Sequence, residues 1–236
     1  GFDEEIYRKT DEMPVSLHKM LDSIEEDYNF LYVGHWLKGE IGQDRKDTGM
    51  MIKVFLETFK NKPNSPGLIL KTSGATFSKV DKEEILGKIK SVKRGIENAK
   101  TLPNIYLLHG DLTDDEINAL YNHPKVKAHV SFTKGEGFGR PLLEASISEK
   151  PVIASGWSGH VDFLDKDKSI LLPGQLTNVH PSAAWENVIL TESQWFTVNY
   201  PVASKVLNDV WMNPDKYEKN AKKLGKHNFT KFSLDA

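Results

Sequence analysis

The chain has no cysteine, which excludes disulfides, thiolate metal sites and cysteine nucleophiles. That fits a reducing compartment, and a cytoplasmic location is expected, or one peripheral to a membrane in a full-length enzyme. A basic surplus is also missing. Lys and Arg number 31 against 33 Asp and Glu, a formal net charge of −2, so no nucleic-acid partner is expected. No apolar run approaches the ~18–20 residues of a membrane span, and no signal peptide is visible. No G-x-S-x-G, P-loop lysine or G-x-G-x-x-G follows a strand pattern, which leaves hydrolase, NTPase and dehydrogenase readings without their central feature. No initiator methionine precedes Gly1, so a piece of something longer is expected.

What the chain does have is ordinary bulk composition, with 39% apolar and 27% charged residues in 236. It also has a regular alternation. Compact apolar runs at residues 29–34, 67–72, 104–109, 128–132, 151–155 and 169–172 read as buried strands. Between them, Met50, Met51, Val54, Phe55 and Phe59 recur at helical spacing behind a cap at Asp47 or Thr48. Residues 82–96 form a charged amphipathic pattern, and Thr113 with Glu116 makes a capping box ahead of Ile117, Leu120 and Tyr121. Residues 141–148 and a short stretch from His160 supply the remaining helices. Strands alternating with helices imply right-handed crossovers and a Rossmann-like α/β fold, a parallel sheet with helices on both faces. Residues 1–28 read as a lead-in segment and 29–236 as the domain. From about Val198 a tail carries helices over 202–211 and 214–224, and Trp185, Trp195, Phe196 and Tyr200 read as its packing.

One stretch stands apart. Ser131 to Ala145 holds three glycines, Gly135, Gly137 and Gly139, ahead of Arg140-Pro141 and an apolar run. Glycine lets backbone N–H groups approach a ligand, proline suits the first helical position, and a helix N-terminus favours an anion. Glu136 and Glu144 bracket the turn. A carboxylate accepts from two hydroxyls at once, which would fix a sugar; the bland reading makes them a cap and a surface glutamate.

These residues resemble the retaining GT-B glycosyltransferases of family 4. The resemblance rests on the E-x7-E pattern from Glu136 to Glu144 around Gly137-Phe138-Gly139-Arg140-Pro141. Its flanks are Asp114 to Tyr121, Lys150 to Ala154 and Ser158-Gly159, with Tyr32-Val33-Gly34 upstream as the family's first strand. It covers about residues 29–175. It implies the C-terminal, donor-binding half of a two-domain enzyme, with Gly1-Phe2-Asp3 similar to the hinge and the N-terminal acceptor domain absent from this chain.

The resemblance further implies the site. Glu136, the catalytic candidate, reaches the donor-sugar hydroxyls with Gly137, Phe138 and Gly139, and Glu144 holds the ribose. Lys46, nine residues before Phe55, meets the diphosphate beside Gly34. The family's arginine position is His35 here, a departure, and Arg45 or protonated His35 would supply the second cation. The loop at His109 and Gly110 meets the base through its backbone. A nucleoside diphosphate sugar is the expected donor, transferred with retention to a sugar, lipid or protein acceptor, with no cofactor and no metal. His123 and His129 lack zinc-ligand spacing, and Asp165-Lys166-Asp167 reads as a solvated turn. A nucleotide-binding module without transfer activity and a nucleotide-sugar epimerase stay open as alternatives, while a phosphorylase lacks a lysine in the context pyridoxal phosphate needs.

Overall fold

The computed structural model describes residues 1–37, 39–72, 74, 76–184 and 193–234. Its centre is a six-stranded sheet of β1 (Asn29–Val33), β2 (Gly67–Lys71), β3 (Ile105–Leu108), β4 (Val126–Ser131), β5 (Val152–Ser155) and β6 (Ile170–Leu172). The order is β3-β2-β1-β4-β5-β6, and every pairing is parallel. The two-residue strand period sorts the core. Phe30, Tyr32, Leu68 and Leu70 face one layer, while Leu31 and Ile69 face the other. The first layer is covered by α2 (Thr48–Phe59), α3 (Lys79–Arg94) and α6 (Tyr200–Met212). The second is covered by α1 (Val15–Asp22), α4 (Asp114–Asn122), α5 (Arg140–Ile147) and α7 (Asp215–Phe232). The expected α/β fold is therefore present. Among the described residues no helix is long and apolar enough to cross a membrane.

Boundaries moved where capping decides them. The helix expected from residue 82 begins at Lys79, because the Ser78 hydroxyl accepts from the Asp81 amide. The Thr113–Glu116 capping box is present at α4. Gly139, at φ 84°, caps α5, so Pro141 is its second residue rather than its first. Asp47 sits at the α2 cap position, but its carboxylate does not cap.

The tail departs further from expectation. Residues Gly174–Asn178 (β7) and Gln194–Val198 (β8) form an antiparallel pair outside the main sheet. Trp195 and Phe196 belong to that pair, and Trp185 lies outside the described residues. Helix α7 runs to Phe232, eight residues past the expected end at 224, because Ala221, Leu224 and Asn228 recur on one buried face. Asn228 donates to Ser146 Oγ and to the Phe163 carbonyl, each at 3.0 Å, which seats α7 on α5.

The first 28 residues pack against these same elements. The Arg8 amide donates to Asn118 Oδ1 at 3.1 Å, and buried Phe2 donates to the Phe232 carbonyl at 3.1 Å. Leu234 in turn donates to the Phe2 carbonyl at 3.0 Å, so the two ends of the chain meet.

Candidate functional site: a charged loop cluster at the sheet's carboxyl edge

Two loops meet above the carboxyl ends of β1 and β4. The loop after β1 carries Asp44-Arg45-Lys46-Asp47, and the loop after β4 carries Lys134-Gly135-Glu136-Gly137. They are joined by backbone, with the Lys134 amide donating to the Arg45 carbonyl at 2.7 Å. The buried Lys134 ammonium donates to the Gly42 carbonyl.

Within that frame the side chains converge. Arg45 Nη1 lies 3.2 Å from Glu136 Oε2 and donates to the Gly135 carbonyl at 2.8 Å. Lys46 Nζ donates to the other carboxylate oxygen, Glu136 Oε1. Burial works to raise the Glu136 carboxyl, but Lys46 and Arg45 outweigh it and hold the group below its usual range. Burial also lowers the Lys46 ammonium, and the Glu136 charge opposes that. Each charge thus favours the ionised form of the other, against the burial that disfavours both.

The acid–base–base–acid order of Asp44-Arg45-Lys46-Asp47 has a physical basis. The two cations point to Glu136, and the two acids point inward and are fully buried. Asp44 Oδ2 accepts from the Asp47 amide at 3.2 Å, and Asp47 Oδ2 accepts from the Tyr200 hydroxyl at 2.6 Å. Burial pushes Asp44 up to about 6 and Asp47 up to about 7, against the pull of Lys134. The tail helix α6 therefore braces the loop that carries the cations, through Tyr200.

The position of Glu136 is fixed from the loop after β5. Its amide donates to Ser158 Oγ at 2.8 Å, and its carbonyl accepts from the Gly159 amide at 3.1 Å. This approach needs glycine. A Cβ on Gly159 would stand 1.9 Å from the Gly137 carbonyl oxygen. Gly139 is similarly confined, with a Cβ there 2.8 Å from His160 Cβ. Phe138, between Gly137 and Gly139, packs on Phe163 and Phe232 at centroid distances of 5.2 and 6.3 Å.

Glu144 lies in a second setting. It is buried on α5, with Tyr7, Tyr121 and Asp114 as neighbours and Arg140 Nε 3.7 Å away. Burial raises its carboxyl to about 7; Arg140 and the two phenols pull it down, and Asp114 pushes it up. The Tyr7 hydroxyl also donates to Asp114 Oδ1 at 3.2 Å, which ties the lead-in segment to this corner.

Comparison with known proteins places this arrangement in a known architecture. No family model matches the chain, and no curated protein matches it by sequence. Solved structures do match. The C-terminal domain of a glycosyl transferase group 1 family protein, LpcC, from Francisella tularensis aligns over 99% of this chain and 100% of its own, at 18% identity and a TM-score of 0.60. HepE of Anabaena, solved with UDP-glucose, aligns over 100% of this chain and 52% of its own, at 16% identity and a TM-score of 0.63. Sucrose-phosphate synthase of Thermosynechococcus elongatus aligns over 100% and 48%, at 15% identity and a TM-score of 0.62. The fold is that of a GT-B C-terminal domain. The chain spans about half the length of HepE and of the synthase.

In this GT-B fold the strand order reverses between β1 and β4, where doubly wound sheets leave their ligand crevice. Arg45, Lys46 and Glu136 gather at that point. Gly34 closes β1 there; its amide donates to the Lys71 carbonyl at 3.1 Å, and a Cβ on it would meet the Tyr32 hydroxyl at 2.5 Å. His35 is exposed, and its carbonyl accepts from Tyr32 at 3.2 Å. His109 and Gly110 form a separate set toward β2 and β3. His109 Nε2 pairs with Asp81 Oδ2 at 2.7 Å, and Lys71 Nζ donates to the Gly110 carbonyl at 2.6 Å.

Several participants went unread in the sequence. Lys134 and Ser158 sit inside stretches the motif already marked. Asp47 read as a helix cap and Tyr200 as packing, and only their bond to each other, with that of Tyr7 to Asp114, reveals their part in the site. Among the described residues, no three His, Asp or Glu side chains gather as a metal ion would need.

Proposed function

We propose that this chain is the nucleotide-sugar-binding part of a retaining glycosyltransferase of the family 4 type. It would work with an acceptor-binding part and take its sugar from a nucleoside diphosphate sugar. The observation that carries the reading is the convergence of Arg45 and Lys46 on Glu136 at the β1–β4 reversal of a GT-B C-terminal fold. UDP and UDP-glucose bound in structures of HepE, which shares that fold, support it.

The chemistry follows from the charges. As a glycosidic bond to a diphosphate breaks, the leaving group gains negative charge, and fixed cations stabilise that state. Lys46 and Arg45 would take this role, with the α5 N-terminus adding its partial positive charge. No metal or cofactor enters this scheme. Glu136 would orient the sugar through its hydroxyls and Glu144 would hold the ribose, each accepting two hydrogen bonds when ionised. Glu136 pairs with both cations, so a diphosphate would compete with a carboxylate for them. Transfer with retention would follow from departure and attack on one face of the sugar. The acceptor would be a sugar, lipid or protein held by a further domain, in keeping with the doubled length of HepE and the synthase. A cytoplasmic setting is part of the same reading, with any membrane contact made by that further domain.

Calorimetric titration of nucleoside diphosphates tests the proposal, with Lys46→Ala and Glu144→Ala beside the parent chain. Binding by the parent, weakened in both variants, is the expected result. Binding indifferent to both substitutions would rule the site out.

A further inference from the structure

The loop that clamps Glu136 also presents an aromatic surface that the scheme above does not use. Trp157 immediately precedes Ser158, whose hydroxyl holds the Glu136 backbone. Its side chain stays 38% exposed although its neighbours on β5 are buried. The indole is not loosely placed. It stacks on Phe196 of β8 with ring centroids 6.2 Å apart and planes 14° from parallel. Phe196 is anchored to the motif loop itself, its amide donating to the Lys134 carbonyl at 3.0 Å. On its other flank the indole approaches the motif, since a Cβ on Gly135 would lie 3.5 Å from Trp157 Cζ3. Gly135 accepts the Arg45 guanidinium through its carbonyl, so the aromatic pair and the cation pair border the same loop.

Trp157 leaves apolar surface in water beside the loop that carries Glu136, and a ligand with an apolar face and a polar rim would cover it. The ligand must suit both neighbours. A pyranose ring has one flat face of C–H groups and a rim of hydroxyls. The face matches an indole and the rim matches a carboxylate. We infer that the Trp157–Phe196 pair is the stacking platform for the pyranosyl ring whose hydroxyls Glu136 holds, making Trp157 a sugar-recognition residue of this site. The inference rests on the proposed nucleotide-sugar reading and adds to it the surface that discriminates sugar from nucleotide. The antiparallel β7–β8 pair thereby gains a role, since it holds Phe196 behind the indole.

The experiment compares each sugar nucleotide with its own parent nucleotide. UDP with UDP-glucose, and GDP with GDP-mannose, are titrated into the parent chain, Trp157→Ala and Trp157→Phe. Trp157→Ala is expected to leave the nucleoside diphosphate Kd within about twofold and to weaken the matching sugar nucleotide about five- to tenfold, with Trp157→Phe recovering most of the loss. In the unmodified chain, saturating the aromatic protons should transfer magnetisation to C–H protons on one face of the bound sugar, a readout independent of how the variants fold. Equal weakening of both members of a pair, no weakening of either, or no transfer to the sugar would overturn the platform while leaving the nucleotide site standing. No binding of any of the four compounds to the parent would overturn the nucleotide-sugar reading and the platform together.

Discussion

The Ser158 hydroxyl donates to the carbonyl oxygen of Glu136 at 2.7 Å while accepting from the amide of the same residue at 2.8 Å. A single side chain thus satisfies both backbone polar groups of the residue on which Arg45 and Lys46 converge. Ser158→Ala removes both bonds in a half-buried loop. At about 1 kcal/mol for each bond, the chain should lose about 2 kcal/mol and roughly 4–8 °C in Tm. Thermal unfolding followed by circular dichroism measures it, and an unchanged Tm would mean that the Gly159 amide alone fixes Glu136.

Gly159 and Gly137 face each other across that clamp but predict opposite outcomes. A Cβ on Gly159 meets backbone at 1.9 Å, whereas nothing lies within 4 Å of a Cβ on Gly137. Gly159→Ala should therefore force the β5 loop off the motif and lower stability by about 3 kcal/mol or more, the range of severe backbone clashes. Gly137→Ala should stay within about 0.5 kcal/mol. Urea unfolding of the two variants side by side makes the comparison.

On the proposed function, Glu136 and a diphosphate would compete for Lys46. Lys46→Ala should weaken a nucleoside diphosphate about 10- to 100-fold, equivalent to roughly 1.4–2.8 kcal/mol. Glu136→Gln should act in the other direction on the same ligand. It frees both cations and should tighten the diphosphate severalfold, while weakening the matching sugar nucleotide relative to it. Calorimetry on the two variants with UDP or GDP checks the crossing of signs.

Asp47 gives a pH dependence of defined sign. Its folded carboxyl is raised to about 7 from a reference of 3.8. A raised carboxyl stabilises the fold below the unfolded value, near pH 4, and that contribution is lost as pH climbs through about 7. Asp44, at about 6, and Glu144, at about 7, act in the same sense. His123 and His129, pushed down by burial to about 4 and about 3, oppose them below pH 6.5, so the test is a difference. Between pH 5 and 8 the parent should lose stability relative to Asp47→Asn by up to about 3 kcal/mol, since only the two pH units from pH 5 to about 7 fall in that window. Urea midpoints at each pH supply the difference, and parallel curves would show Asp47 to be ionised throughout.

The parts of this molecule that the sequence disclosed are those governed by local rules. Continuous apolar runs marked all six strands of the parallel sheet, since burial on both faces removes polar alternation. The Thr113–Glu116 box marked the α4 start, and Pro141 marked the α5 start to within one residue, because helix starts are decided within about four residues. Local rules could not disclose α7 in full, because its last two turns are polar and rely on Asn228 bonding to Ser146, 82 positions away. They missed β7 and β8 for a similar reason. That pair carries Gln175, Thr177, Thr197 and Gln194, with few buried residues to give it a pattern. At the site, the resemblance named Lys46 and Glu136 as candidates but not their contact, and it did not reach the role of Tyr200. Its hydroxyl reaches Asp47 across 153 positions, and a tyrosine in a tail reads as packing until that partner is seen.

The meeting of the chain's two ends has a mechanical consequence. Phe2 and Phe232 are bonded backbone to backbone, and the Phe232 ring lies against Phe138 and Phe163. The joint of the two termini therefore abuts Phe138, the aromatic residue between Gly137 and Gly139. The joint and the loop that carries Glu136 thus lean on one shared wall of rings, Phe138, Phe163 and Phe232, with no strand of the sheet between them.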